Sequence, residues 1–269
     1  MSKTAIAKKF IRHYWRAKTR YGIHSPFVYD FVESVLEDTR FYYAFEEIEA
    51  LRQMMLKNHT QIEVTDFGAG SHIHPPKRRR ISDIARHSNT KPFFCRILFR
   101  MIQKYKPKTI LELGTSFGLA TLYMRFAALN SSIITVEGCP VIAHKAKQHF
   151  ELLQVSDIKL VNGTFDQVLP ALLEDIKQLD FAFIDGNHQE AATIQYFEQC
   201  LSYTNTASVL VFDDIHWSDG MERAWQTIQQ HPKVARTIDL FFFGVVFFDN
   251  STPKKTHFQL IPSAWRPFF

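Results

Sequence analysis

Residues 109–124 read "TILELGTSFGLATLYM". A short apolar run comes first, then a turn with glycines at 114 and 118, then apolar positions recurring at helical spacing. A strand that passes through a glycine turn into a helix opens an α/β unit. Open α/β sheets bind ligands at the carboxyl ends of their strands. Gly114 permits a sharp turn and close approach of a ligand to the backbone. Ser116 and Gly118 fall where a new helix still has unpaired N–H groups.

Outward toward the C-terminus the same rhythm repeats. "SIITVE" precedes "PVIAHKAKQHFELL", "DIKLV" precedes "FDQVLPALLEDI", "LDFAFID" precedes "QEAATIQYFEQCL", and "ASVLVFDD" precedes "GMERAWQTIQQH". Five strand–helix units with short apolar strands predict a parallel sheet covered by helices on both faces. "VARTIDLF", "GVVFFDN" and "KTHFQLIP" follow as strands without helices between them, so antiparallel strands are expected at the C-terminal edge. The expected fold class is α/β: a Rossmann-like, doubly wound, mostly parallel sheet with antiparallel C-terminal edge strands and a helical N-terminal cap. The expected domains are 1–106 for the cap and lid segment and 107–269 for the ligand-binding domain.

The N-terminal hundred residues read differently. "SPFVYDFVESVLED" places Ser25 as an N-cap and Pro26 at the first helical position, and "FYYAFEEIEALRQMMLKNH" spaces its apolar residues three and four apart. "KPFFCRILFRMIQKYK" is a further helix, opened by Thr90 and Pro92. Between them "QIEVTDF" alternates like a strand. "DFGAGSHIHPPKRRR" then offers a second acid-and-glycine loop at 66–80. Two prolines and four basic residues follow its glycines where an amphipathic helix would be needed, so position in the fold favours the 109–124 loop as the cofactor site. The 66–80 segment is expected to be a lid that closes over the site.

Spacing excludes familiar nucleotide sites. There is no GxxxxGK[ST], and "GTSFG" lacks the GxGxxG fingerprint. The loop therefore suits a ligand without a pyrophosphate. The next strand ends in Glu137, a carboxylate that can accept from both hydroxyls of a ribose. At these residues the chain resembles the class I S-adenosylmethionine-dependent methyltransferases, in particular the small-molecule, catechol O-methyltransferase-like branch. The matching segments are "LELGTSFGLAT", "TVEG", "VNGTF", "FIDGNH" and "VLVFDD", in the family's order, covering about 105–215. The resemblance implies that Glu112 and Gly114 line the methionine end of S-adenosylmethionine, with Ser116 and Gly118 nearby. It also implies that Glu137 holds the ribose and that Gly163 and Thr164 border the adenine.

Methyl transfer to a hydroxyl needs alignment and a way to take up a proton. "DFAFIDGNH" ends its strand with Asp185 and carries His188; "LVFDDIHW" carries Asp213, Asp214 and His216. Asp185 is expected both beside the cofactor and in the chemistry. In the catechol-type branch such positions hold a divalent ion, which implies Asp185, Asp213 and Asp214 as ligands of Mg²⁺. This chain departs from that pattern, with Asn187 where a second acid is usual and Asp214 where an Asn is usual. The metal-free alternative makes His188 or His216 the general base, oriented by Asp185 or Asp213. The expected acceptor is a small aromatic or apolar hydroxylated metabolite in a pocket formed by the Phe-rich cap.

Charge bears on partners. Net charge is +5, yet residues 1–20 hold seven Lys/Arg and no acid, and 77–80 hold four more, so the rest of the chain is net acidic. The basic arm, with its interleaved aromatics, is compatible with RNA, with an anionic membrane surface, or with a plain solvated helix face. An RNA methyltransferase is the alternative activity, although "IDGN" stands where an amino-methylating NPPY-like motif would be. A non-catalytic cofactor-binding protein is the third reading. Cys95, Cys139 and Cys200 share no metal or disulfide spacing, the N-terminus lacks an apolar signal region, and no run spans a bilayer. A cytoplasmic protein is expected.

Overall fold

A computed structural model describes residues 3–65, 77–249 and 255–266. Its fold is the expected Rossmann-like α/β arrangement, a mixed sheet of mostly parallel strands with flanking helices. Two compact units divide the chain.

One unit comprises 40–177 and 185–187. Its ladder is β3 (Thr109–Leu113), β4 (Ser132–Glu137) and β5 (Ile158–Asn162), all parallel. Helices α6 (Leu119–Ala127), α7 (Pro140–Leu152) and α8 (Phe165–Ile176) return the chain between and after these strands. The strands enter burial quickly: Ile110, Leu111, Glu112 and Leu113 are all buried. Helices α3 (Tyr43–Leu56) and α5 (Pro92–Tyr105) pack against α6 through aromatic rings. Phe45 meets Phe99 edge-on with centroids 4.9 Å apart, and Tyr123 lies 5.3 Å from Phe45. Phe45 and Phe99, from the Phe-rich segment expected to form a substrate pocket, are core, as is Tyr123. A buried aromatic contributes about 0.5–1.5 kcal/mol through ring geometry beyond its area, and it cannot also face a substrate. Lys106 (φ 49°) caps α5 in the left-handed region, and Pro107 after it bars the helix from continuing toward β3.

In the same unit β1 (Gln61–Val64) pairs antiparallel with β2 (Lys77–Arg80), followed by α4 (Ile81–His87). The basic run "KRRR" is therefore a strand rather than part of a loop. Glu63 stands opposite Arg78 with an ion pair of 3.4 Å, the cross-strand pairing of opposite charges that stabilises a hairpin. The remainder of the expected lid, 66–76, lies outside the described residues.

The other unit comprises 1–39, 178–184 and 188–269. It holds α1 (Lys3–Arg16), α2 (Pro26–Phe31) continued by a π-helical turn, β6 (Phe181–Ile184), α9 (Glu190–Leu201), β7 (Val209–Phe212), α10 (Asp219–Gln230), β8 (Arg236–Asp239), β9 (Gly244–Phe247) and β10 (Thr256–Gln259). Ser25 and Pro26 open α2 as expected, although the Ser25 side chain makes no capping bond. Strands pair in the order β6, β7, β9, β8, β10. The antiparallel strand is β9, which pairs with β7 on one side and β8 on the other; β10 runs parallel to β8. The helical residues before β3 are thus shared between the units: 1–39 belong with the C-terminal strands and 40–106 with β3–β5.

Helix α1 is fastened along the C-terminal segment. Tyr14 donates to the Trp265 carbonyl at 2.9 Å, Phe10 meets Phe241 at 5.0 Å, and Lys18 bridges Leu260. Its opposite side leaves Ile11 and Trp15 exposed. Among the described residues no helix is long and apolar enough to cross a membrane.

Candidate functional site

The turn between β3 and α6 is built around a glycine that nothing else can replace. Gly114 has φ +107°, and a Cβ there would lie 1.8 Å from the Asp185 carbonyl oxygen. Asp185 N–H donates to the Leu113 carbonyl at 2.8 Å, so the first residue after β6 is drawn against the first turn. Gly118 (φ +82°) is the N-cap of α6, and a Cβ there would strike the Phe150 ring. Ser116 takes a positive φ of 48° without being glycine, a strained conformation that surrounding bonds must hold. Its N–H donates to Glu137 Oε2 at 2.9 Å, and the Phe117 carbonyl accepts from His149 Nδ1 at 2.9 Å.

Glu137 does double duty. Its second oxygen accepts from the Cys139 N–H at 2.9 Å, ahead of Pro140 at the start of α7. The residue expected to hold a ribose is thus also the clamp that shapes the turn. Asn162 supports it by donating to its carbonyl at 2.7 Å. Burial pushes the Glu137 carboxyl up to about 7, with the Cys139 and Ser116 N–H groups pulling the other way.

Glu112 is fully buried at the centre of β3. Its Oε2 accepts from Thr121 and, at 2.6 Å, from Thr135. Oε1 has no hydrogen-bond partner among the described residues. Burial raises this carboxyl to about 8, against the hydrogen bonds from Thr121 and Thr135. The Ser116 hydroxyl is likewise buried without a partner. An unpartnered buried carboxylate oxygen is costly, on the order of 1–3 kcal/mol or more. Two polar groups without a partner among the described residues thus flank one glycine turn.

Gly163 and Thr164 follow β5. Gly163 N–H donates to the Glu137 carbonyl at 3.1 Å, and Thr164 is the N-cap of α8 with its side chain free of any capping bond. Asp185 Oδ2 accepts from Thr90 Oγ1 at 3.2 Å. The hydroxyl expected to open α5 is therefore turned to Asp185, and Lys91 is the N-cap.

The turn after β7 has a different character. Asp213 N–H donates to the Ile184 carbonyl at 2.9 Å, and Asp213 Oδ1 accepts from the Asp214 N–H at 2.8 Å with Asp214 at φ 53°. His216 has Nδ1 2.9 Å from Glu222 Oε1 and Nε2 2.9 Å from Asp239 Oδ2. Burial by itself would lower its pKa; the Asp239 and Glu222 carboxylates outweigh it and raise it. Asp239 is held below its ordinary carboxyl value, burial notwithstanding, by His216 and His13. Carboxylates facing both ring nitrogens favour the protonated ring, the opposite of what a general base needs. Burial pushes the Cys95 and Cys200 thiols up to about 12.

Asp239, Glu222, Thr121, Thr135 and His149 each hold a side chain or carbonyl of these turns in place, and none is singled out by the sequence. The alternation of "SIITVE", which puts Thr135 and Glu137 on one face of β4, was the available signal.

A buried acid thus precedes the strand–glycine turn–helix, and a second acid ends the next strand. Residues 111–215 match the family described as "Methyltransferase domain". Over 118 residues it is 29 % identical to catechol O-methyltransferase of Niastella koreensis, covering 43 % of this chain and 52 % of that protein, so the match spans about half the length of that relative. Among solved structures it is similar to the SAH-bound methyltransferase PaMTH1 of Podospora anserina (TM-score 0.59, 13 % identity, 85 % of this chain and 98 % of that one). It is also similar to the O-methyltransferase TomG of Streptomyces achromogenes in complex with SAM (TM-score 0.55, 16 % identity, 78 % and 92 %). At these identities the likeness is one of fold.

Proposed function

We propose that this protein binds S-adenosylmethionine in the β3–α6 turn and transfers its methyl group to an oxygen of a small hydroxylated aromatic or apolar metabolite. The observation that carries the reading is the unpartnered Glu112 Oε1, buried beside a turn whose own hydroxyl, on Ser116, is also unmet. When bound, S-adenosylmethionine supplies the methyl group, a positive charge and its own leaving group.

The chain's residues then divide the work. Glu112 meets the cofactor's cationic amino-acid end, and Gly114 leaves the room for it. Ser116 and Gly118 present hydroxyl and backbone groups at the start of α6. Glu137 takes the ribose hydroxyls while continuing to hold the Ser116 and Cys139 amides, and Gly163 and Thr164 border the adenine. Asp185, tied to Thr90, accepts or relays the proton lost by the acceptor hydroxyl, and His188 is the remaining imidazole candidate for that step. Oxygen donors at Asp185, Asp213 and Asp214 suit a magnesium ion, which would acidify the acceptor hydroxyl.

The test is a methyl-transfer screen of the purified chain over phenols, catechols and RNA, with Mg²⁺ or with a chelator. The reading expects a phenolic acceptor to turn over, chelation to slow it, and Asp185→Ala to cost on the order of 10²–10⁴ in kcat. Methylation of RNA alone, or undiminished turnover by Asp185→Ala, contradicts it.

A further inference from the structure

Among the described residues one group of three metal-ligating side chains converges: His13, His216 and Asp239, with one ligand atom from each lying within 4.8 Å of the others. All three belong to the unit formed by 1–39 and the C-terminal strands. None has a part in the methyl transfer proposed above. His13, on α1, is 3 % exposed, and Asp239, the last residue of β8, is 2 % exposed.

The placement of protons makes the cluster unusual. His13 Nε2 faces the Leu260 carbonyl at 3.4 Å, an atom that only accepts, so that nitrogen carries the ring proton. The Nδ1 of a neutral ring is then a bare lone pair. It lies 3.4 Å from Asp239 Oδ1 and has no hydrogen-bond partner. A lone pair pointing at a carboxylate oxygen in a dry interior calls for a cation between them. His216 Nε2 faces the other oxygen of the same carboxylate at 2.9 Å, and its Nδ1 is anchored by Glu222.

Each imidazole therefore has its outer nitrogen fixed by an acceptor and its inner nitrogen turned to one carboxylate. That is how supporting hydrogen bonds orient metal-ligating histidines. Two ligand atoms at about 2.0–2.1 Å from a tetrahedral ion lie about 3.3–3.4 Å apart, close to the His13–Asp239 separation. Phe241 stacks on His216 with centroids 5.1 Å apart and meets His13 edge-on, which walls the cluster with apolar surface.

We propose that His13, His216 and Asp239 form a three-ligand site for a divalent transition-metal ion of the zinc class, with a water molecule as the fourth donor. Two imidazoles and a carboxylate favour that class over magnesium or calcium. The ion takes the place of the proton on His216 Nε2, which is released, and its two positive charges are balanced by Asp239 and Glu222. Its role is to rivet α1 to the end of β8 and to the turn after β7.

The test is titration of the purified, chelator-stripped full chain with Co²⁺ and then Zn²⁺. The expected result is about one ion per chain, the intense visible bands of four-coordinate cobalt, their loss on adding zinc, and a thermal midpoint raised by several degrees. Mg²⁺ produces none of these. His13→Gln abolishes the cobalt bands, Glu222→Gln weakens cobalt binding about 10–100-fold, and Asp185→Ala, at the separate magnesium candidate, retains them. Absence of cobalt bands in the folded wild-type chain overturns the proposal. So does full cobalt affinity in both His13→Gln and Glu222→Gln, with circular dichroism confirming that each variant is folded.

Discussion

The turns after β3 and after β7 are both strand-to-helix turns with residues at positive φ and with acidic groups close by, yet they handle charge in opposite ways. Around the first, Glu112 is buried and Glu137 partly so, neither with a cation beside it among the described residues, and their carboxyls rise to about 8 and about 7. Beside the second, His216 lies between Asp239 and Glu222, and Lys9 of α1 reaches Glu222 at 3.2 Å and Asp219 at 2.8 Å. There the carboxylates face imidazole and ammonium groups of the chain itself. The difference separates acids that have no basic neighbour among the described residues from acids gathered around imidazoles, and the two call for different ligands.

The contrast breaks most severely at Gly114. With a Cβ 1.8 Å from the Asp185 carbonyl, Gly114→Val forces the turn away from Asp185. It is expected to lower S-adenosylmethionine affinity by more than about 100-fold, measured by calorimetry on protein that retains its circular dichroism. A smaller loss follows at the clamp. Glu137→Ala frees the Ser116 and Cys139 amides and removes the ribose acceptor, and is expected to weaken binding by about 10–100-fold. Glu137→Gln, which keeps one acceptor oxygen, falls between wild type and Ala.

The smallest effect is the most diagnostic. For Glu112 and Glu137 the folded carboxyl binds its proton more tightly than the unfolded chain does. Stability of the free protein therefore falls as pH rises from the ordinary carboxyl value of 4.5 toward about 8. Glu112→Gln removes part of that fall, and its thermal midpoint at pH 8 is expected to exceed wild type by a few degrees, about 1 kcal/mol, while at pH 5 the two coincide. Opposite signs apply near the second turn. The depressed Asp239 contributes stability above its ordinary 3.8 and loses it as pH falls through its folded value. The raised His216 contributes below 6.5 and loses it as pH rises past its folded value. His216→Gln should therefore destabilise most between these limits, in the same thermal scans.

Much of this was legible in the sequence, for reasons that differ by element. Strands β3 to β7 and their helices announce themselves because each is a short apolar run followed by a helical period, a purely local pattern. Gly114 is visible for the same reason, though the group that demands it, the Asp185 backbone, is supplied by a distant strand end. The "KRRR" strand was hidden because its stability comes from Glu63 across the hairpin, not from its own β propensity. The position of β9 between β7 and β8 depends on how the chain returns, which local pattern does not encode. His216 resembled a base beside acids until Asp239, from β8, and Glu222, from α10, closed on it from both sides. The phenylalanines of α3 and α5 looked like pocket lining, whereas Phe45 and Phe99 are spent packing against α6.

The most direct measurement is titration calorimetry of S-adenosylmethionine into the metal-stripped chain at pH 7, repeated in two buffers of different ionisation enthalpy. If the β3–α6 turn awaits a cation, binding saturates at about one ligand per chain and releases protons, because the arriving charge lowers the raised Glu112 and Glu137 carboxyls. Undetectable binding, or binding with no buffer dependence that survives unchanged in Glu112→Gln, contradicts it.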